Sequence, residues 1–440
     1  MRPATDSSTT SEPVKKGLPP VSVWYILALV SLSIGTCAVT MCSNQVLPIT
    51  LRKFTDSTML IGFVVSLQAM NQLWVTPYVA WKSDRIWTRI GRRKPLVLVL
   101  APLLAVTVIA VPRNSMLWAL VILVFILQMA EDAELAIMGP SISDSVPDKQ
   151  RPLATAMWEM VQAVPIIFIG RYVMKLMDPG IHVLRVPYLG RTVRLVGAEH
   201  WPYTIAGIMV LLTGIMFVSV MRERYVPPRP EDKFRLLSYG REVFRLREHV
   251  LIYVVFFFQP LFILVARAFF PLLATQAMHL KPSEYGSALS WGAITSLIIC
   301  IPMGYLFNRF RCRRALSIIG CLTGLVPLTF GLFFMKSAQD LAVYFAMETF
   351  TFKFLRLNFM PYVMEYTTPR NVGTILGFTT AINGMVRFTM IPLAGWLVDL
   401  AGKNYLLPLW GGYLGIAVCV GALLAMRPPE KVRHLVEAER

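Results

Sequence analysis

Ser83-Asp84-Arg85 and, after five intervening residues, Gly91-Arg92-Arg93-Lys94-Pro95 form a short charged link between two long apolar stretches. A weaker copy, Gly304-Tyr305-Leu306-Phe307-Asn308-Arg309 followed by Arg313-Arg314, links two further apolar stretches, and 224 residues separate Asp84 from Asn308. A second pair of segments keeps nearly the same period. Asp144-Ser145-Val146-Pro147 leads into Ala154-Thr155-Ala156, and Glu365-Tyr366-Thr367-Thr368-Pro369 leads into Gly373-Thr374-Ile375-Leu376-Gly377, with 221 residues between Asp144 and Glu365. Two pairs at one period of about half the chain point to a duplicated architecture, which in a membrane protein points to transport.

The chain has 440 residues, 55% of them hydrophobic and 15% charged, a balance foreign to soluble domains. Its apolar runs approach the roughly 20 residues that cross a bilayer. Twelve are expected, near 23–48, 58–80, 96–112, 115–140, 153–175, 202–221, 249–274, 285–306, 315–335, 340–364, 372–398 and 405–426. None alternates polar and apolar residues, and backbone groups in lipid must bond internally, so the runs are expected to be helices. The fold class is therefore an all-α membrane protein of two six-helix bundles. The expected division is a tail at 1–20, a bundle at 21–221, a central loop at 222–248, a second bundle at 249–426 and a tail at 427–440.

Positive charge is concentrated in particular loops. Residues 82–94 hold six bases against Asp84 alone, the 222–248 segment holds eight bases and five acids, and Arg309, Arg311, Arg313 and Arg314 follow the eighth run. The positive-inside rule places these loops, and with twelve spans both termini, in the cytoplasm. The net charge of +18 then reports topology and contact with anionic lipid headgroups, not nucleic-acid binding. Five of the six cysteines fall within apolar runs, so neither a disulfide framework nor a metal-ligand spacing emerges. In the 178–200 connection, Val183 to Leu195 alternates Arg with apolar residues around Tyr188-Leu189-Gly190, a pattern compatible with a β-hairpin. Tyr239 to Glu248 is compatible with a surface amphipathic helix after the extended Pro227-Pro228-Arg229-Pro230.

Asp-Arg followed by Gly-Arg-Arg-Lys after the second span resembles the signature of the major facilitator superfamily, and the likeness extends over essentially the whole chain. Two departures stand out: Ala80 occupies the usual glycine position, and Trp87-Thr88-Arg89-Ile90 lengthens the motif. The longer spacing with trailing Pro95 is similar to the sucrose and glycoside–pentoside–hexuronide symporter branches. The resemblance implies a movable cytoplasmic latch built from Asp84, Arg85, Gly91, Arg92 and Arg93, completed by Asp144 at the inner end of the fourth span. The alternative is that these charges only set topology.

Ionisable groups within spans cost several kcal/mol unless paired or wet, so each is a functional candidate. The fourth span carries Gln128, Glu131, Asp132 and Glu134. At roughly 100° per residue the first three share a face, with Glu134 about 60° beyond Glu131. Three carboxylates so close in a poor solvent are expected to take up a proton or a cation, the chemistry of an H+- or Na+-coupled carrier. The resemblance adds that symporters of the sucrose and melibiose type place an essential acid here. The alternative is that Arg171 or another helix neutralises one acid structurally.

Bases dominate the second half: Arg267 in the seventh span, Lys353 and Arg356 beside Glu348 in the tenth, and Arg387 in the eleventh. They are candidates for a gate between halves or for binding an anionic substrate group, while a Glu348–Arg356 pair within the bundle is the structural alternative. Arg387 is expected to serve structural pairing. Asn44, Gln45, Gln68, Asn71, Gln72 and Gln259 could bond sugar hydroxyls, and Trp74, Trp158 and Trp291 could stack on a sugar ring, although membrane amides more often bond between helices.

The expectation is a monomeric secondary transporter in the plasma or inner membrane, working by alternating access. It would carry a sugar, glycoside or related anionic solute with H+ or Na+, and needs no other cofactor, metal or nucleic acid. An exporter or exchanger of organic anions or drugs, and a non-transporting membrane sensor, are the competing readings. No enzyme constellation is present, since the five histidines are scattered at loops and span ends.

Overall fold

The computed structural model describes residues 20–83, 86–147, 150–185, 192–223, 246–309, 312–366 and 372–428. Asp84, Arg85, the stretch 227–230, most of 239–248 and both tails lie outside the described residues, as do the side chains of Asp144 and Asn308.

The chain folds into α1 (Val23–Leu51), α2 (Thr58–Ser83), α3 (Lys94–Arg113), α4 (Leu117–Ser145), α5 (Leu153–Met177) and α6 (His200–Val220). The second half repeats this with α7 (Arg247–Ala277), α8 (Pro282–Arg309), α9 (Arg313–Phe333), α10 (Ala338–Met364), α11 (Val372–Leu400) and α12 (Leu407–Ala425). Among the described residues, nine of these are apolar over a membrane-crossing length. The helices α4 and α10 are interrupted by the charges already singled out, Glu131, Asp132 and Glu134 in one and Glu348, Lys353 and Arg356 in the other. Small local devices start the helices. At α10, Ser337 accepts a bond from the Asp340 amide while the Asp340 carboxylate accepts one from the Ser337 amide.

Burial separates lipid-facing from packed surfaces. Ile26, Leu29, Val64, Leu104, Tyr203, Leu341 and Leu409 are sealed inside, whereas Val99, Val106, Ile122, Leu212 and Leu414 are exposed on the outer surface. Exposed aliphatic side chains along whole helices would be unfavourable in water and are at home in hydrocarbon. Trp24 and Trp118 stand exposed at helix starts on opposite faces, the interfacial positions such rings favour.

The duplication is visible in the packing. In the first half α2 packs on α4, α1 on α6 and α3 on α6; in the second, α8 packs on α10, α7 on α12 and α9 on α12. The backbone repeats as well. A π-helical segment at Cys42–Val46 widens α1, and its counterpart Leu273–Ala277 widens α7, each beside a proline (Pro48 and Pro271) that removes a backbone donor. A third such segment, Ile169–Val173, lies in α5 after Pro165. Between α5 and α6 the strands β1 (Ile181–Arg185) and β2 (Thr192–Val196) pair antiparallel, with Val183 opposite Arg194. The turn around Tyr188 lies outside the described residues. The membrane face bearing this hairpin is called here the hairpin face, and the face bearing residues 86–94 the loop face.

The halves meet along α2 against α11 and α5 against α8. On the hairpin face the contact is backbone to backbone. A Cβ at Gly170 would stand 2.5 Å from the Gly286 carbonyl oxygen, and one at Gly286 would stand 2.3 Å from that of Gly170. On the same face, at the other seam, the Asp399 carboxylate at the end of α11 accepts the Thr58 amide at 3.0 Å, the Met59 amide at 3.1 Å and the Ser57 hydroxyl at 3.3 Å. An acid of one half thereby caps a helix of the other, where carboxylate and helix N-terminus attract. Lys403, one turn on, binds the same carboxylate. The molecule is therefore shut on the hairpin face. Gly286→Val is expected to wedge the halves apart there. Spin-label distances between the outer ends of α5 and α8 should lengthen, and distances unchanged from the parent would contradict the close contact.

Candidate functional site

The three acids of α4 are all buried and are bonded from α1 and α2. Glu131 Oε1 accepts Thr40 Oγ1 and Gln68 Nε2, each at 2.6 Å, and Oε2 accepts Ser43 Oγ at 3.4 Å. Glu134 Oε2 accepts Thr36 Oγ1 at 2.9 Å, and Asp132 Oδ1 accepts Gln72 Nε2 at 3.3 Å. Among the described residues the second oxygens, Asp132 Oδ2 and Glu134 Oε1, have no hydrogen-bond partner. Helix spacing explains the arrangement. Thr36, Thr40 and Ser43 fall on one stripe of α1, and Gln68 and Gln72 on one stripe of α2, each facing the acidic stripe of α4. Among the described residues no arginine or lysine forms an ion pair with any of the three. Arg171, named above as a possible neutraliser, instead sits 5.9 Å over the Trp291 ring of α8, away from the acids.

A cavity of about 320 Å³ lies between the halves. Thr40, Asn44 and Gln45 of α1, Gln162 of α5, Arg267 of α7 and Arg387 of α11 supply its polar lining, while Met41, Leu264, Phe352 and Ile391 supply apolar wall. Asn44 and Gln45 belong to the π-helical segment of α1. Asn44 Nδ2 donates to Gln68 Oε1 at 3.2 Å, so a chain of amides joins the cavity to Glu131. Gln45 accepts from the Tyr285 hydroxyl of α8, a bond across the halves. Trp74, Trp158 and Trp291 do not line this cavity, so the ring-stacking role considered for them has no place there.

Arg387 corrects one expectation. It forms no ion pair among the described residues; it lines the cavity and donates from Nη1 to Gln72 Oε1 at 3.5 Å. Gln72 in turn donates to Asp132, so one amide stands between an acid of the first half and a base of the second. The reason is rotational: α11 packs along α2 and turns position 387 inward.

The other bases divide into two sets. Arg267 pairs with Glu348 inside the second half at 3.3 Å to both carboxylate oxygens. The Glu348–Arg356 pair considered from sequence is not formed. Lys353 and Arg356 instead reach across to Glu159 of α5, at 2.7 and 3.2 Å. Glu159 was not among the sequence candidates. Its signal was present, as a lone carboxylate in the otherwise apolar Met157-Trp158-Glu159-Met160, but the fourth-span cluster drew the reading away from it. The bridge lies about one helical turn from Gln162 towards the loop face, beyond the lining of the cavity. Removing its acid takes from Lys353 and Arg356 their partner in the other half. Glu159→Gln is expected to lengthen loop-face distances between α5 and α10 and to raise the open population by about tenfold, the size of a ~1.4 kcal/mol bias. Unchanged spin-label distances would remove this bridge as a gate.

At the loop face, the carboxylate that engages the start of α3 is Glu223. It accepts the amides of Arg92 at 2.6 Å, Arg93 at 3.1 Å and Lys94 at 3.0 Å. Sequence reasoning gave this kind of contact to Asp84, which lies outside the described residues. Gly91 makes room for it: its φ is +120°, and a Cβ there would meet the Glu223 carboxylate at 2.6 Å. Arg93 is buried and donates from Nη1 to the Ile137 carbonyl of α4 at 3.2 Å. The loop thus ties α3, α4 and the end of α6 together within one half. Glu223→Ala should cost ~1–2 kcal/mol through loss of a charged cap. A fall in melting temperature in detergent would register it, and a parental melting temperature would count against it.

Comparisons with known proteins bear on the family and the fold. The sequence model described as Major Facilitator Superfamily matches residues 26–280 and 252–440. No curated protein matches the sequence significantly. Among solved structures, the nucleoside transporter NupG superposes with a TM-score of 0.65 at 10% identity, covering 92% of this chain and 100% of that one. A POT family transporter in complex with a thioalcohol-conjugated peptide gives 0.71 at 10% identity over 91% of this chain and 95% of that one. A POT family transporter in complex with 5-aminolevulinic acid gives 0.71 at 11% identity over the same shares. These likenesses establish the twelve-helix, two-bundle fold, and with the two matched stretches spanning nearly the whole chain, the protein belongs to the major facilitator superfamily and is a multi-pass membrane transporter.

Proposed function

We propose that the protein is a proton-coupled symporter of a small anionic solute, of the size and polarity of a sugar acid or a glycoside bearing a carboxylate. The observation that carries this reading is the placement of Arg387, without a carboxylate partner among the described residues, on a 320 Å³ cavity beside a helix of buried acids. A guanidinium in an apolar wall favours a carboxylate or phosphate guest. Asn44, Gln45 and Gln162 supply the uncharged bonds that would orient hydroxyl groups.

Glu131 and Asp132 would carry the coupling ion. Thr40, Gln68 and Gln72 present hydrogens to them, which suits an acid that exchanges a proton better than an oxygen cage for a metal cation. Glu134, bonded to Thr36 a turn closer to the loop face, would take part in the same exchange. Alternating access would open the loop face by parting Glu159 from Lys353 and Arg356, and the hairpin face by parting Asp399 from the start of α2. Arg267 and Glu348 would form a fixed wall of the second half, Asp84, Arg85 and Asp144 would complete the latch at the loop face, and Arg171 would steady α5 against α8. The basic loops support a cytoplasmic loop face with both termini inside and contact with anionic headgroups there; the unit would be a monomer. The alternative of an exporter or exchanger of organic anions uses the same cavity and differs in the direction of the driving gradient.

The test is uptake of a panel of sugars, sugar acids and other small carboxylates into proteoliposomes under an imposed pH or sodium gradient. A pH gradient, acidic outside the cytoplasmic face, is expected to drive accumulation of an acid. Glu131→Gln and Asp132→Asn should abolish accumulation yet keep solute exchange, and Arg387→Gln should raise the half-saturation concentration by ~10-fold or more. Full accumulation in both acid variants, or accumulation driven by sodium alone, would sink the proton-coupled reading.

A further inference from the structure

Gln72 is placed where its orientation has only one good solution. Its Nε2 donates to Asp132 and its Oε1 accepts from Arg387. Turned by 180°, the amide would set its oxygen against a carboxylate and its NH2 against a guanidinium. The half of the preference set at Asp132 depends on that acid being ionised. Once Asp132 carries a proton, its O–H becomes a donor, and the better partner for it is the Gln72 oxygen. The amide then turns, leaves only its NH2 group, whose hydrogens a guanidinium cannot accept, towards Arg387, and so withdraws the acceptor that held it.

We infer that Gln72 is a positioning residue that makes the availability of Arg387 to an anionic solute depend on whether Asp132 carries a proton. The inference rests on the coupling proposed above and deepens it, by naming how the ion site of one half speaks to the solute site of the other. Loading a proton on Asp132 frees Arg387 for the anion; loss of that proton draws Arg387 back to the amide and releases the anion. By reciprocity, an anion on Arg387 favours protonation of Asp132. The proton comes from and returns to the aqueous phase, and no other bond changes.

The charged groups around this relay come from several helices. On α4, Glu131 and Glu134 have their own donors from Thr40, Ser43, Gln68 and Thr36. On α7 and α10, Arg267 is held by Glu348, and on α5 and α10 Glu159 is held by Lys353 and Arg356. Gln72 is bonded to Asp132 and Arg387 alone among these ionisable groups.

Cys37 lines the same cavity as Arg387 and reports on it without any knowledge of the solute. The test compares how fast Cys37 reacts with the anionic 2-sulfonatoethyl methanethiosulfonate and with the neutral methyl methanethiosulfonate. Each reagent gives a mixed disulfide and methanesulfinate, read at Cys37 by peptide fragmentation. The ratio of the two rates cancels the thiolate fraction and leaves the cavity's attraction for anions. In the parent protein the ratio should rise by about tenfold from about pH 8 to about pH 5.5, within the usual range of coupling between sites. At about pH 8, Asp132→Asn should raise the ratio by about as much in the parent. In a Gln72→Leu background the same change should raise it by less than about twofold.

An equal effect of Asp132→Asn in both backgrounds would mean that charge acts through space and would overturn the relay. A parental ratio that does not move with pH would overturn it as well. Gln72→Met repeats the comparison should Gln72→Leu fold poorly. The outcome is separable from the transport test: pH-driven uptake with an additive cycle rejects the relay alone, and a relay without pH-driven uptake rejects the transport reading alone.

Discussion

Burying three carboxylates in one membrane-spanning helix is the constraint from which the first half of this protein follows. Charged groups in hydrocarbon are expensive, and among the described residues none offers these acids a direct counter-ion. They are satisfied instead by hydroxyls of α1 and amides of α2. Those two helices must therefore pack against α4 in fixed rotation, and that rotation turns Asn44, Gln45 and Gln72 towards the centre of the molecule. The polar lining of the cavity is in this sense the reverse side of the solution to a burial problem.

The second half solves the same problem differently. Its bases are paired, but with unequal partners: Arg267 finds Glu348 in its own bundle, while Lys353 and Arg356 need Glu159 of the other. A pair within a bundle moves as a unit when the halves rock, so it constrains the wall and not the motion. A pair across the halves must break whenever they part. Arg387 belongs to neither set, which leaves it to the cavity. The duplicated backbone thus carries two unlike chemistries, acids held by neutral donors on one side and bases sorted by partner on the other.

Much of the architecture was legible because its signals are local. Hydrophobic run length and loop charge each depend on nearby residues, and each copy of the Asp84/Asn308 motif is itself a short segment; together they lead to twelve helices in two related halves. The hairpin after α5 was also readable, from the alternation through Val183 to Leu195. What could not be read is rotation about each helix axis. Glu159 and Arg387 were plain in the sequence as charges in apolar runs, yet whether they face lipid, their own bundle or the cavity depends on how α5 and α11 turn against their neighbours. The same ignorance allowed Glu348 to be matched with Arg356, its companion on α10, when Arg267 on another helix was the true partner. Glu223 escaped for a different reason: it lies far along the chain from the Gly91–Lys94 loop it caps, and no period links them.

The seals on the two faces are made of different materials. On the hairpin face, glycine backbones touch directly, and Asp399 binds main-chain amides whose positions are fixed by the helix itself. Such contacts have almost no slack, and an ångström of separation ends them together. On the loop face the bridge runs through Lys353 and Arg356, long side chains that can follow Glu159 as it retreats before letting go. The protein is consequently brittle on one side and elastic on the other. Its motion towards the loop face can be graded, whereas opening of the hairpin face is an abrupt event.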